Sequence, residues 1–321
     1  MMESKVSIVK NKNIVENVIN ALNLIDAQSF VSPDKKILIK PNLLEIHNAY
    51  SGYVTKPEVI RGIIRFFKNA GTRNIIVAEG GNVDTMKCAE CSDILNVVDQ
   101  EGAKFVDLNY DETTVIKIPN YLRLPEVRIA NTVLNSDVII SAPVLKTHLY
   151  ATVTLSLKNM MGVLINDESP KKLDKKIIHP EFWGPGDFER MGREESIKSI
   201  MSADMRIVDL ISVVRPHLAV IDAITGIEGN GPSSGDIVNK IDVIIAGNDP
   251  VATDVVGSLF MGIDPTNIGH IAMAGKKSLG EIDISKISIR GLSLNEVSRK
   301  FRLPDFIASH LDWFDWVKKQ V

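Results

Sequence analysis

The sequence predicts an α/β fold: a mostly parallel or mixed sheet with helices on both faces, with room for a smaller second lobe. Three observations carry that expectation. Short β-branched runs alternate with amphipathic helical stretches almost to the end of the chain, as when crossover helices join parallel strands. Two of the helical stretches close on glycine, Asn69-Ala70-Gly71 and Gly262, the residue that most easily takes the left-handed turn ending a helix. At 321 residues the chain can bury the core that such a sheet needs. No repeat or low-complexity linker divides it, so residues 1–321 are expected to form a single domain with its core at about 5–290.

Taken in order, the first strand is expected at 5–9 and the second at 36–39, running into Lys40-Pro41-Asn42. Residues 57–69 carry Val59, Ile60, Ile63, Ile64 and Phe67 at spacings of three and four, the apolar face of a helix. The next strand, 74–78, ends in Glu79-Gly80-Gly81-Asn82, and a helical stretch beginning near Asp84 follows. Strands are expected again at 104–108 and at 137–141, the latter leading through Pro143 to Lys146-Thr147-His148. Strand 218–221 ends in Asp222, and the run from Gly226 to Gly235, with four glycines, a proline and two serines, must turn tightly. Strand 241–246 leads into Asp249-Pro250, an N-cap and first-turn pair for the helix 251–261, and a last strand is expected at 286–290. Between these, 166–193 breaks the rhythm with charge, Pro and Gly. Phe182 and Trp183 argue against plain disorder, so a lid is expected there.

Composition excludes some partners. A net charge of −3 supplies no general basic field for nucleic acid. No apolar run reaches membrane-span length, and two cysteines cannot make a disulfide framework. A cytoplasmic protein is expected. Cys88 and Cys91 have CxxC spacing but no second pair, so they read as structural and no internal iron–sulfur cluster is expected.

In open parallel sheets ligands bind beyond the carboxyl ends of the strands. Those ends carry Lys40 and Lys146, the acids Glu79, Asp222 and Asp249, and His148. Lys40, Lys146 and Lys158 are candidate anion binders, because an ammonium is a compact point charge suited to carboxylate or phosphate. Asn42, Asn159, Asn230 and Gly231 are expected to line the same ligand, with Gly80 and Gly81 offering backbone N–H groups to an oxyanion. His148, Asp222 and Glu228 are the candidate catalytic groups, since imidazole and carboxylate exchange protons near neutrality. A divalent metal, should one bind, is expected on Glu79, His179 and Asp254. His217 reads as a structural hydrogen-bonder, His270 faces either way, and the glycines fit no dinucleotide or P-loop fingerprint.

Five segments together resemble a known family. They are Lys40-Pro41-Asn42, Ala142 to His148, Ser156 to Gly162, Asp222 to Pro232 and Asp249 to Asp254. In order and spacing, over roughly residues 5 to 275, they are similar to the family called domain of unknown function 362. Many members carry a ferredoxin-like module with two cysteine clusters, which this sequence lacks. The resemblance implies a shared site without naming a reaction. A remoter likeness to the lactate racemase group, which uses a nickel pincer nucleotide, is not accompanied by a dense histidine pattern. Two functions fit these residues. One is an enzyme acting on a small acidic or phosphorylated molecule. The other is a binding or maturation protein that holds a metal, cofactor or cluster for a partner.

The C-terminal stretch 303–321 concentrates aromatics. Ile307, Leu311 and Phe314 form one helical face, while Trp313 and Trp316 lie off it. A helix apolar on two sides needs two partners, so a homo-oligomer through this helix is expected.

Overall fold

The structure, a computed structural model, describes residues 3–81, 83–166 and 186–309. Among them eleven strands share one sheet. Its path runs β13 (Ser288–Gly291), β1 (Lys5–Lys10), β12 (Val243–Gly247), β10 (Leu218–Glu228), β7 (Val138–Ser141), β2 (Lys36–Lys40), β3 (Asn74–Glu79) and β4 (Lys104–Asp107). Off that path β8 (Val144–His148) pairs with β10 and with β9 (Thr152–Thr154), and β11 (Asp236–Val238) pairs with β10. β5 (Thr113–Lys117) and β6 (Glu126–Ala130) form a separate antiparallel ladder.

The half of the sheet from β7 to β4 is parallel, whereas β12 runs antiparallel to both β1 and β10. The sheet is therefore mixed, and the fold is α/β. Successive side chains on a strand face opposite ways, and the core divides accordingly. Leu38, Ile76, Ile139, Ile221 and Ile245 point to one face, under the helices Arg193–Val213, Pro250–Phe260 and Gly269–Lys276. Ile37, Ile39, Val77, Ile140 and Ile244 point to the other, under Ile14–Leu24 and Pro57–Asn69. These last two helices approach closely at Gly62, where a Cβ would sit 2.6 Å from Cβ of Val18.

The helix 57–69 forms as the apolar spacing requires, with Val59, Ile60, Ile63, Ile64 and Phe67 buried. Asp249 caps the helix Pro250–Phe260, accepting from the Val251 and Ala252 amides. Cys88 is buried in the helix Thr85–Cys91, Cys91 is exposed at its end, and neither is bridged. Burial pushes the Cys88 thiol up to about 11, against any thiolate role.

Three expectations need correction. β10 does not stop at Asp222 but runs on to Glu228, because β8 and β11 give its second half partners. Lys146, Thr147 and His148 lie on strand β8 rather than in a loop; they are buried there and paired with β9. The end of the expected lid is helical at Gly186–Met191, and Arg193 begins the long helix that follows. The rest of that lid, including Phe182, Trp183 and His179, lies outside the described residues. So does most of the C-terminal aromatic stretch, from 310 onward. Its described beginning, the helix Asp305–Ser309, buries Ile307 against the chain's own core.

Candidate functional site

The carboxyl ends of β2 and β3 lie side by side, and they set the floor of an open cleft. Lys40, the last residue of β2, and Glu79, the last of β3, are both buried and form an ion pair at 2.6 Å. The chain holds each partner tightly. The Lys40 ammonium also donates to the Pro41 carbonyl at 3.1 Å and to Asn159 Oδ1 at 3.4 Å. The Glu79 carboxylate accepts from the Gly80 amide at 3.0 Å and the Leu43 amide at 3.1 Å. Burial pushes the Lys40 amine below its ordinary range, with Glu79 pulling it back. Burial likewise pushes the Glu79 carboxyl up, with Lys40 opposing. The gap in proton affinity between the two groups is narrower than in water.

Gly162 and Gly80 make room for this pair. A Cβ on Gly162 would lie inside contact distance of Glu79 Oε1 and 2.6 Å from Lys40 Nζ. A Cβ on Gly80 would meet the Gly162 carbonyl at 2.6 Å. Behind the floor, Asn42 and Asn159 relay hydrogen bonds to Lys146. Asn42 donates to Asn159 Oδ1 at 3.2 Å, and Lys146 donates to Asn42 Oδ1 at 2.7 Å and to the Tyr53 carbonyl. Asn159 itself donates to the Lys40 carbonyl and to Ser141 Oγ. Complete burial brings the Lys146 amine down to about 7 despite the attraction of Glu45, Asp222 and Glu79.

The walls come from β8, β9 and the turn after them. His148 lies at the end of β8, its Nδ1 accepting long hydrogen bonds from the Tyr150 and Ala151 amides, its ring edge-on to Tyr150 with centroids 4.2 Å apart. Lys158 projects from the short helix Ser156–Asn159, its ammonium against the Met161 sulfur and 5.4 Å from the Tyr150 ring centre. Asp254 fixes that helix from below, accepting from the Ser156 amide at 2.7 Å and the Leu157 amide at 2.9 Å. Burial pushes the Asp254 carboxyl up to about 8, with the two amides pulling the other way. Lys40, Asn42, Glu79, Gly80, Gly81, His148, Thr154, Lys158, Asn159, Met161, Gly162 and Pro232 all line the cleft, together with Leu43 and Leu44.

The structure thus brings eight of the sequence-selected residues to one place: Lys40, Asn42, Glu79, Gly80, Gly81, His148, Lys158 and Asn159. Lys146 stands behind them. Others are elsewhere. The Gly80 amide donates to Glu79 and the Gly81 amide to Thr85 Oγ1, so neither is offered to an oxyanion. Asp222 is buried in mid-strand, accepting from the Lys56 and Ile224 amides, with the Lys56 ammonium 3.8 Å away. Glu228 meets the Arg302 amide, and Asn230 exchanges two hydrogen bonds with Asp305, so the glycine-rich run binds the C-terminal segment. Gly231 abuts the Thr147 carbonyl, where a Cβ would clash, and lets Pro232 reach the cleft. Asp254 and Glu79 do not share a ligand set, because each is committed to different partners. Among the described residues no group of three or more His, Cys, Asp or Glu is placed to hold a metal ion.

Sequence reasoning missed Tyr150, Thr154, Gly162, Pro232 and the buried Lys56. Gly162 closed a segment already singled out and could have been read as a close-approach residue. Thr154 carried only the alternation of Thr152-Val153-Thr154.

The chain is 25% identical over 253 residues to a thylakoid-associated protein of Synechocystis, covering 78% of this chain and 70% of that protein. It is similar to the lactate racemase apoprotein of Thermoanaerobacterium thermosaccharolyticum at 14% identity and a TM-score of 0.43. That likeness covers 77% of this chain but only 54% of the racemase chain, about half its length. Among the described residues no helix is long and apolar enough to cross a membrane. Residues 37–258, which include every described lining residue of the cleft, match the model of the domain of unknown function DUF362, and the chain belongs to that family.

Proposed function

We propose that the cleft binds a small acidic or phosphorylated molecule and moves a proton on it. The observation that carries this is the buried Lys40–Glu79 pair, which forms the floor of an open cleft. A buried ion pair is costly to keep, and a hydrophobic pair of similar volume often stabilises a fold more. Its position at the strand ends, where α/β sheets bind ligands, supports a chemical role.

In this reading Lys158 holds the anionic group. His148 and the Lys40–Glu79 pair hold and return the proton: burial lowers the Lys40 amine and raises the Glu79 carboxyl, which brings the two toward each other. Lys146 sits behind the pair and tunes it through Asn42 and Asn159. Asp222 and Glu228, placed away from the cleft, have no direct part.

The test is calorimetric titration of small carboxylates and phosphorylated compounds into the wild type and Lys158→Met. The variant keeps the aliphatic stem and is expected to bind its best ligand at least about tenfold more weakly, the worth of one charge-assisted hydrogen bond. Its stability should change by no more than about 1 kcal/mol, the scale of a cation–π contact. Equal affinity in both proteins removes Lys158 from the site. Incubating each bound acid in D2O and following carbon-bound deuterium by NMR then tests proton transfer. Tight binding without exchange in any acid points to the second reading, a protein that holds its ligand for a partner.

A further inference from the structure

Among the described residues, one hydroxyl that lines the cleft has no hydrogen-bond partner. Thr154 is 5% exposed and lines the cleft, and its Oγ1 is buried without a hydrogen-bond partner. Buried hydroxyls are nearly always satisfied, because losing water without a replacement partner is unfavourable. Thr154 is not stranded by accident of packing. In the antiparallel β8–β9 ladder it stands directly opposite Lys146, so its side chain shares the face of the ladder that carries Lys146 and, two residues on, His148. Val153, between Thr152 and Thr154, is fully buried in the apolar core on the other face. The hydroxyl is thus aimed at the ligand side of the strand by register, on the face that also carries His148.

The neighbouring Ser156 hydroxyl is buried and unpartnered as well, but it does not line the cleft. Valine would serve the fold at position 154 equally well, with the same shape and higher strand propensity. A hydroxyl there is explained by something that enters the cleft.

We infer that Thr154 is a ligand-binding residue, its hydroxyl donating to an oxygen of the bound anion whose charge is met by Lys158. The inference rests on the anion-binding reading of the cleft and deepens it. Recognition then needs an oxyanion with at least two accessible oxygens, one for the ammonium and one for the hydroxyl. Carboxylates and phosphate monoesters both meet that requirement, and halides do not.

The test compares wild type, Thr154→Val and Thr154→Ser by calorimetric titration with acetate and inorganic phosphate, and with chloride as a single-atom anion. Thermal unfolding is followed in parallel. Thr154→Val is expected to weaken binding of the better oxyanion about ten- to a hundredfold, with the melting temperature unchanged or raised, since an unsatisfied buried hydroxyl is replaced by a methyl of similar shape. Thr154→Ser is expected to stay within about threefold of wild type. Wild-type oxyanion binding that survives unchanged in Thr154→Val overturns this inference and leaves the anion site standing. Loss of both binding and melting temperature in Thr154→Val, with neither restored by Thr154→Ser, marks a packing role and also overturns it. Failure of the wild type to bind either oxyanion overturns both this inference and the reading beneath it.

Discussion

Replacing Glu79 by Gln leaves the Lys40 ammonium buried among neutral acceptors alone, the Pro41 carbonyl at 3.1 Å and the Asn159 amide at 3.4 Å. Losing one side of a buried pair costs about 3–5 kcal/mol, because the remaining charge keeps its desolvation penalty. Two features place this case at the low end. The neutral acceptors persist, and an amine already pushed down by burial can shed its proton. Glu79→Gln is therefore expected to cost about 3 kcal/mol. Lys40→Met leaves Glu79 with its Leu43 and Gly80 amides and should cost a similar amount. The double variant has no uncompensated charge, so its loss should fall short of the sum by about 2–3 kcal/mol. Urea denaturation followed by circular dichroism, with one m-value for all four proteins, measures the cycle. Single losses under about 1 kcal/mol, or losses that add within about 0.5 kcal/mol, refute the claim that this pair is one desolvated unit.

Two further predictions concern the groups around that pair. Lys146 has a folded-state pKa of about 7 against an ordinary 10.5, so between those values the unfolded chain binds a proton that the folded chain does not. Stability should rise with pH across that window, with a slope of up to about 1.4 kcal/mol per unit from this group. Lys146→Met should remove that contribution, and equal slopes for both proteins in urea titrations from neutral to alkaline pH contradict it. Gly162→Ala forces a methyl against Glu79 Oε1 and Lys40 Nζ and is expected to cost about 1–3 kcal/mol and to abolish anion binding. A melting temperature within a degree of wild type shows that the pair has more room than the geometry allows.

Much of the sheet is legible in the sequence because its strands are buried on both faces. Runs such as Lys36 to Lys40 and Asn74 to Glu79 carry unbroken apolar residues that no surface loop would carry. The floor of the cleft was legible for the same reason, since a charge at the end of such a run cannot point far from the sheet edge. β8 was not legible. Its residues are Val, Leu, Lys, Thr and His after a proline, and it is pairing with β9 and the distant β10 that makes a buried strand of them. Asp222 and Asp254 misled for a related reason. A carboxylate interrupting an apolar run signals a buried partner but not which kind; here the partners are backbone amides and, for Asp222, also the Lys56 ammonium. The glycine-rich run announced a tight turn correctly, but small residues also serve close packing, and here they admit the C-terminal segment.

The position of β1 has a consequence for how the chain is made. Val6 pairs with Gly247 and Ile8 with Ile245, and on its other side Lys5 pairs with Ser288. During synthesis β1 therefore finds neither neighbour until β12 and β13 exist, roughly ten seconds or more later at ordinary synthesis rates. Meanwhile β2, β3, β4 and β7 can assemble their parallel half as they emerge, since their partners lie within the first half of the chain. Synthesis thus divides the molecule in time where geometry does not. The cleft floor, built from β2 and β3, belongs to the early part, while β1 waits as an apolar strand with two open edges. Until then those edges can pair wrongly, which makes β1 the strand most exposed to misassembly during synthesis.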